Sequence, residues 1–431
     1  MSFQKEFIFG VSTAAFQIEG ATAENGRTPS IWDTFCQEDG RIFENDNGDT
    51  ACDHYHRYKE DIAIIKDLGV DSYRFSISWP RIFPKKDYYN EKGMQFYKNV
   101  LTELKKQGIS AAITLYHWDL PQWVQDLGGF ETRKAIDLFL QFAEKCFSEL
   151  NEFADMWITF NEPWCSSFLS NALGQHAPGK IDLETGIKVA HNILLAHGRT
   201  VALYHRLGYT KKIGITLNLS PAYAYTNSFS DKLAENIADG FINRWFLEPL
   251  FKGQYPQDMA MLFTAICRTD YSFIEEGDLT EISEPCDFLG INYYTRQLVS
   301  FDADNQLFKS SPPSNYKQTS MGWDICPNEF IDLIKCIRRN YTSLPIYITE
   351  NGSVCEDILI NDTVKDDERI DYMLLHLDAV DKMNDLGLNV AGYFCWSLLD
   401  NFEWSFGYSK RFGIVYVDYQ TLKRTKKDSF Y

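Results

Sequence analysis

Short β-branched or aromatic runs alternate along this chain with longer stretches whose apolar residues recur at helical spacing. The runs are 7–12, 72–76, 109–116, 156–160, 213–217, 288–293, 346–349 and 390–396. Being short and largely apolar, they predict strands buried on both faces of a parallel sheet. Between them, residues 58–68 put Ile62, Ile65 and Leu68 on one helical face, with Gly69 suited to end the helix. Residues 133–150 repeat the pattern with Ala135, Leu138, Phe139, Phe142, Cys146 and Leu150. Helices are also predicted over 186–207 and 368–386, ended by Gly208 and Gly387. These stripes read as core faces, not as sites.

Strands alternating with helices in this way predict an α/β fold, a (β/α)8 TIM barrel. No Gly/Ser/Pro-rich linker divides the chain, so residues 1–431 are expected to form a single domain with extended βα loops. The stretch 301–328 lacks a clear period. It reads as an insertion between the sixth strand and its helix, where a barrel builds the rim of a site.

Composition narrows the function classes. The formal net charge of −18 argues against nucleic acid and anionic membrane surfaces as partners. No stretch approaches the roughly 20 apolar residues of a membrane span. The ten cysteines are scattered and none is spaced as CxxC, which disfavours a disulfide scaffold or a zinc cluster. The polar start, Met-Ser-Phe-Gln-Lys-Glu, has no apolar signal core, and a cytoplasmic location is expected. The histidines lack ligand spacing and there is no phosphate-binding glycine loop, so no metal and no cofactor is implied. Aromatics reach 15%, which fits either a large aromatic core or flat surfaces for sugar rings. The pattern fixes no oligomeric state.

Two segments carry the candidate chemistry. Thr159-Phe160-Asn161-Glu162-Pro163 and Ile348-Thr349-Glu350-Asn351-Gly352 each place a Glu just beyond an apolar strand, the fourth and the seventh. The C-terminal strand ends of a barrel share one mouth, so both side chains can reach one pocket. Two facing carboxyls suit glycosidic bond cleavage, one protonated for the leaving oxygen and one ionised. Nucleophilic attack requires a separation of about 5–5.5 Å, and a water-mediated inverting route about 6.5–9.5 Å. The sequence leaves both open.

The chain resembles glycoside hydrolase family 1, the β-glucosidase family, from near residue 6 to near residue 430. The motifs that carry the resemblance are Phe9-Gly10-Val11-Ser12-Thr13-Ala14-Ala15-Phe16-Gln17-Ile18-Glu19-Gly20, Tyr116-His117-Trp118-Asp119-Leu120-Pro121, the two Glu segments, Ile291-Asn292-Tyr293-Tyr294 and Cys395-Trp396-Ser397-Leu398-Leu399-Asp400-Asn401-Phe402-Glu403-Trp404. The resemblance implies a retaining mechanism on a β-glucoside, with Glu350 as nucleophile and Glu162 as acid and base. It implies that Tyr294 hydrogen-bonds the nucleophile, that Asn161 contacts the sugar 2-hydroxyl and that Asn292 lies near both carboxylates. It places Gln17, His117 and Glu403 on the ring hydroxyls, Trp396 beneath the sugar and Trp404 at its side. It sets Trp323, Cys165 and Asn218 along the leaving-group region, with Cys165 read as a small packing residue. It also implies a cis peptide bond after Trp396.

The family divides between free sugars and 6-phosphosugars. The phosphate-holding pattern is Ser, then Lys seven residues on, then Tyr two further. Here those positions read Glu403, Lys410 and Phe412, and only Lys410 fits. A carboxylate at 403 would repel a phosphate dianion, so an unphosphorylated glycone is expected, glucose first, with galactose or fucose also admitted. The alternatives are a 6-phospho-β-glucosidase and a sugar-binding protein without turnover.

Overall fold

The computed structural model describes residues 3–304, 307–311 and 315–431. Eight strands close into one parallel barrel: β1 (Ile8–Ser12), β2 (Ser72–Ser76), β3 (Ser110–Tyr116), β4 (Met156–Asn161), β5 (Lys212–Asn218), β6 (Phe288–Asn292), β7 (Ile346–Asn351) and β8 (Val390–Trp396). Each strand pairs with its sequence neighbours, and β8 closes on β1 through the register Ile8 to Gly392 and Ser12 to Trp396. All eight expected strands are present. The helix starts differ. The expected helix at 58 begins at His54, and the one expected at 186 begins at Leu183. Those first turns are mostly polar and carry no apolar stripe, so periodicity alone cannot see them.

The barrel interior is layered. At its lower end Ala112, Met156, Ile158, Phe288, Tyr347 and Phe394 form an apolar plug. Towards the C-terminal ends of the strands the buried residues turn polar: Ser12, Arg74, Thr114, Thr216, Asn292 and Thr349. Buried polar groups at this depth must find partners within the chain. They do. Thr216 Oγ1 donates to Thr349 Oγ1, which donates to Asn292 Oδ1 at 2.7 Å, and Arg74 Nε donates to Thr114 Oγ1. This layer is the floor of the site.

The stretch after β6 is not without structure. Gln297–Asp302 and Leu307–Ser310 pair antiparallel, and Ala222–Ala224 joins the first of them to make a small sheet beside the mouth. Residues 305, 306 and 312–314 of the expected insertion, and Met1 and Ser2 at the start, lie outside the described residues. Among the described residues, no helix is long and apolar enough to cross a membrane.

Four register shifts interrupt the barrel ladder, one between Ile346 and Tyr347 at the start of β7, and three between Ile158 and Asn161, between Ile348 and Glu350, and between Ile348 and Asn351. The last three sit at the C-terminal ends of β4 and β7. Such irregularities re-aim a side chain relative to the regular alternation of a strand. Here they fall on the two segments that hold the candidate carboxyls.

Candidate active site

A cavity of about 460 Å³ opens at the C-terminal face of the barrel. Glu162, immediately after β4, and Glu350, within the end of β7, both line it. His117, Asn292, Tyr294, Trp396, Glu403, Trp404 and Trp323 line the same cavity, as do Cys165 and Asn218. The site residues arrive from six different strand ends or the loops after them, so only the closed barrel brings them together. Glu350 thus stands inside its strand, not beyond it as the sequence suggested.

The surroundings of the two carboxyls are unequal. Glu350 Oε1 accepts from Arg74 Nη1 at 2.6 Å and Oε2 accepts from the Tyr294 hydroxyl at 2.7 Å. Glu162 has no cation within bonding distance among the described residues. Its Oε1 accepts from Asn292 Nδ2 at 2.6 Å, and its Oε2 lies 3.0 Å from the Cys165 thiol. Burial pushes the Glu162 carboxyl up to about 7, and the negative charge of Glu350 adds to the effect. Burial also raises Glu350, but there the Arg74 charge and the Tyr294 hydroxyl pull the other way. When the pair holds one proton, Glu162 is the carboxyl that keeps it.

Arg74 also fixes Asn161. Its Nη2 donates to Asn161 Oδ1 at 2.6 Å, and Asn292 Nδ2 donates to the same oxygen at 3.0 Å. The Asn161 amide nitrogen therefore faces His117 Nε2, 3.1 Å away. That nitrogen must accept, which leaves the proton on Nδ1, and Nδ1 has no partner among the described residues. Burial, then the nearby Arg74 charge, hold the imidazole well below its ordinary range, so it is neutral. Gln17 lies behind Glu403. Its Nε2 donates to Asn401 Oδ1 and the Phe402 carbonyl, while its Oε1 also has no partner among the described residues. A buried acceptor on Gln17 and a buried donor on His117 suit the hydroxyls of a sugar.

Aromatic rings shape the remaining walls. The His117 ring lies nearly parallel to both Trp396 and Trp404, at 5.9 and 6.0 Å between centroids. Trp323 sits by Tyr294 and Phe412 on the opposite side. The Trp396–Ser397 peptide bond is cis, as expected. Gly352 lies under that bond, where an added Cβ would meet the Trp396 carbonyl oxygen at 1.8 Å, so no larger residue fits. Glu162, Trp118 and Trp404 all adopt the left-handed backbone region, with φ of +50°, +78° and +51°. Side-chain-bearing residues rarely hold that conformation, and its concentration here fits a site held rigid by its surroundings.

The amino-acid sequence matches glycosyl hydrolase family 1 over residues 1–431. The chain belongs to this family. It is 44% identical to β-glucosidase A of Acetivibrio thermocellus, with 100% of this chain and 97% of the relative covered. It is 40% identical to a bifunctional β-D-glucosidase/β-D-fucosidase of Bifidobacterium breve, again covering 100% and 97%. The crystal structure of the family 1 β-glucosidase from Exiguobacterium antarcticum superposes with a TM-score of 0.98 at 57% identity, covering 100% of this chain and 97% of that one. This protein is a glycoside hydrolase with the barrel of family 1.

Arg74 lies outside the set of site residues expected from the sequence, and Cys165, expected along the leaving-group region, makes a contact not foreseen there. Arg74 is fully buried and touches Glu350, Asn161 and the Thr349 carbonyl. Its one sequence signal is a guanidinium in the middle of Ser-Tyr-Arg-Phe-Ser, a strand otherwise suited to burial. Cys165, expected to do no more than pack, has its thiol on Glu162. Its place three residues after Glu162 is visible in the sequence, but the turn that brings the two side chains together is not. Lys410, the one match to the phosphate pattern, does not line the cavity. Its Nζ donates to the Ser320 carbonyl at 3.1 Å.

Proposed function

We propose that this chain is a retaining β-glucosidase that releases terminal non-reducing β-D-glucosyl residues from oligosaccharides or aryl glucosides. Residues 1–431 are read as its single catalytic domain. Glu350, ionised, attacks the anomeric carbon and forms a glycosyl-enzyme while Glu162 passes its proton to the leaving oxygen. Glu162, now a carboxylate, then takes a proton from water as that water displaces Glu350. Arg74 and Tyr294 stabilise the charge on Glu350 when it is free. Asn161 meets the sugar 2-hydroxyl, where binding strengthens in the oxocarbenium-like transition state. Gln17, His117 and Glu403 hold the other hydroxyls, Trp396 forms the floor, Trp404 the side, and Trp323 flanks the leaving group.

The observation that carries this reading is the asymmetry of the two carboxyls. One has a guanidinium and a phenol; the other has an amide and a thiol. That difference separates a charged nucleophile from a protonated acid. The Asn292 amide lowers both carboxyls, and its residue stands in register with Glu350. An amide that serves both favours the short separation of a retaining enzyme. A protein that only held sugar would need no such division of charge.

A free glycone is favoured over a 6-phosphosugar. Glu403 faces the cavity with no cation bonded to it among the described residues, so even when protonated it offers a phosphate no counter-charge, and Lys410 is turned to a backbone carbonyl. Several relatives are named β-glucosidases, and one acts on glucosides and fucosides both. The test is hydrolysis of p-nitrophenyl β-glucoside beside its 6-phosphate. Preference for the free glucoside is expected, and preference for the phosphate would overturn the role given to Glu403.

A further inference from the structure

Each oxygen of the Glu162 carboxyl has its own hydrogen-bond partner, and the two partners differ in strength. Asn292 Nδ2 stands 2.6 Å from Oε1, and Cys165 Sγ stands 3.0 Å from Oε2. The amide is an ordinary donor, whereas a thiol is a weak one. The Asn292 amide cannot turn, because its Oδ1 accepts from the Thr349 hydroxyl. Cys165 cannot move away either. Its backbone N–H donates to the Glu162 carbonyl at 3.0 Å, and it opens the tightly buried segment Cys165–Ala172.

The thiol is a donor throughout the working range. Burial holds it well above its ordinary value, and the charge of Glu162 raises it further. It is therefore an S–H group and no nucleophile. The other groups facing Glu162 are Glu350 from β7, Arg74 from β2, His117 after β3, Tyr294 after β6 and Glu403 after β8. Of these only Arg74 is a cation, and it is bonded to Glu350.

We propose that Cys165 is a positioning residue for the acid step: its thiol aims Glu162 Oε2 into the cavity while stabilising the carboxylate less than a hydroxyl would. A serine here would hold the carboxylate more firmly and weaken its grip on the proton. An alanine would remove the contact and strengthen that grip. The inference rests on Glu162 being the acid and base.

The test is the pH dependence of kcat/KM for cellobiose in wild type, Cys165→Ser and Cys165→Ala. The alkaline limb reports loss of the acid's proton in the free enzyme. It is expected to move down by about half a pH unit in the serine variant and up in the alanine variant, with the acid limb unmoved. A cavity effect would lower the rate of both variants without opposite shifts. Limbs that stay in place, or that move the same way, overturn the proposal. The serine variant is nearly isosteric and decides the matter if the alanine variant folds poorly. Glu162→Ala separates the two readings. If its alkaline limb persists, the acid assignment falls and Cys165 with it. If that limb is gone and the cysteine variants are unshifted, only the role of Cys165 falls.

Discussion

Arg74 Nη1 lies 2.6 Å from Glu350 Oε1, both residues buried at the top of the barrel. Three carboxyls, those of Glu162, Glu350 and Glu403, line one cavity, and this guanidinium is bonded to one of them. That pairing decides where the negative charge rests, and so, in the mechanism proposed above, which carboxyl attacks.

Arg74→Met is expected to raise the Glu350 carboxyl and move the acid limb of kcat/KM to higher pH, because the nucleophile must be ionised. Removing one partner of a buried pair also destabilises, by about 3–5 kcal/mol at neutral pH. The deficit should shrink as pH falls, since protonating Glu350 removes the unpaired charge. Urea unfolding at two pH values checks this. A deficit that is constant with pH would place the effect in packing alone.

For Glu162→Ala, glucosides with acidic phenol leaving groups need little protonation. Their kcat/KM should fall far less than that of cellobiose. A series of substituted phenyl glucosides measures the difference, and equal losses across the series would count against Glu162 as the acid.

Glu403 offers a stability signature. Burial, then the charges of Glu350 and Glu162, push its carboxyl from 4.5 up to about 8. Between those values the folded chain binds a proton that the unfolded chain has released, so stability falls as pH rises through that window. Glu403→Gln has no such proton. It should gain on wild type by about 1 kcal/mol or more between pH 5 and pH 8; that figure is discounted because the side chain opens to the cavity. Parallel stability curves for the two proteins would show that Glu403 is ionised throughout.

Much of this was legible in the sequence. Strands such as Ser72–Ser76 and Val390–Trp396 are short and carry aromatic or β-branched residues, and their bounds emerge unchanged. Glu162, Glu350 and Trp396 stand in motifs long enough to carry a resemblance, and all three reach the cavity. What stayed hidden depends on contacts distant in sequence. Gln297–Asp302 and Leu307–Ser310 are too short to show a period; they pair with each other, and the first also pairs with Ala222–Ala224. Arg74 reads as an odd charge in a strand until Glu350, 276 residues on, is beside it. The Cys165 contact needs the left-handed turn at Glu162, a backbone state that Glu seldom adopts and composition does not reveal.

In the proposed mechanism Glu350 forms the covalent bond to the sugar. The direct measurement is inactivation with a 2-deoxy-2-fluoro-β-glucoside bearing a good leaving group, followed by mass spectrometry of the digested protein. A single fluoroglucosyl label on the peptide containing Glu350 is expected, absent from Glu350→Ala, whose activity azide should restore as an α-glycosyl azide. A label on another carboxyl, or steady turnover with no label at all, would contradict it.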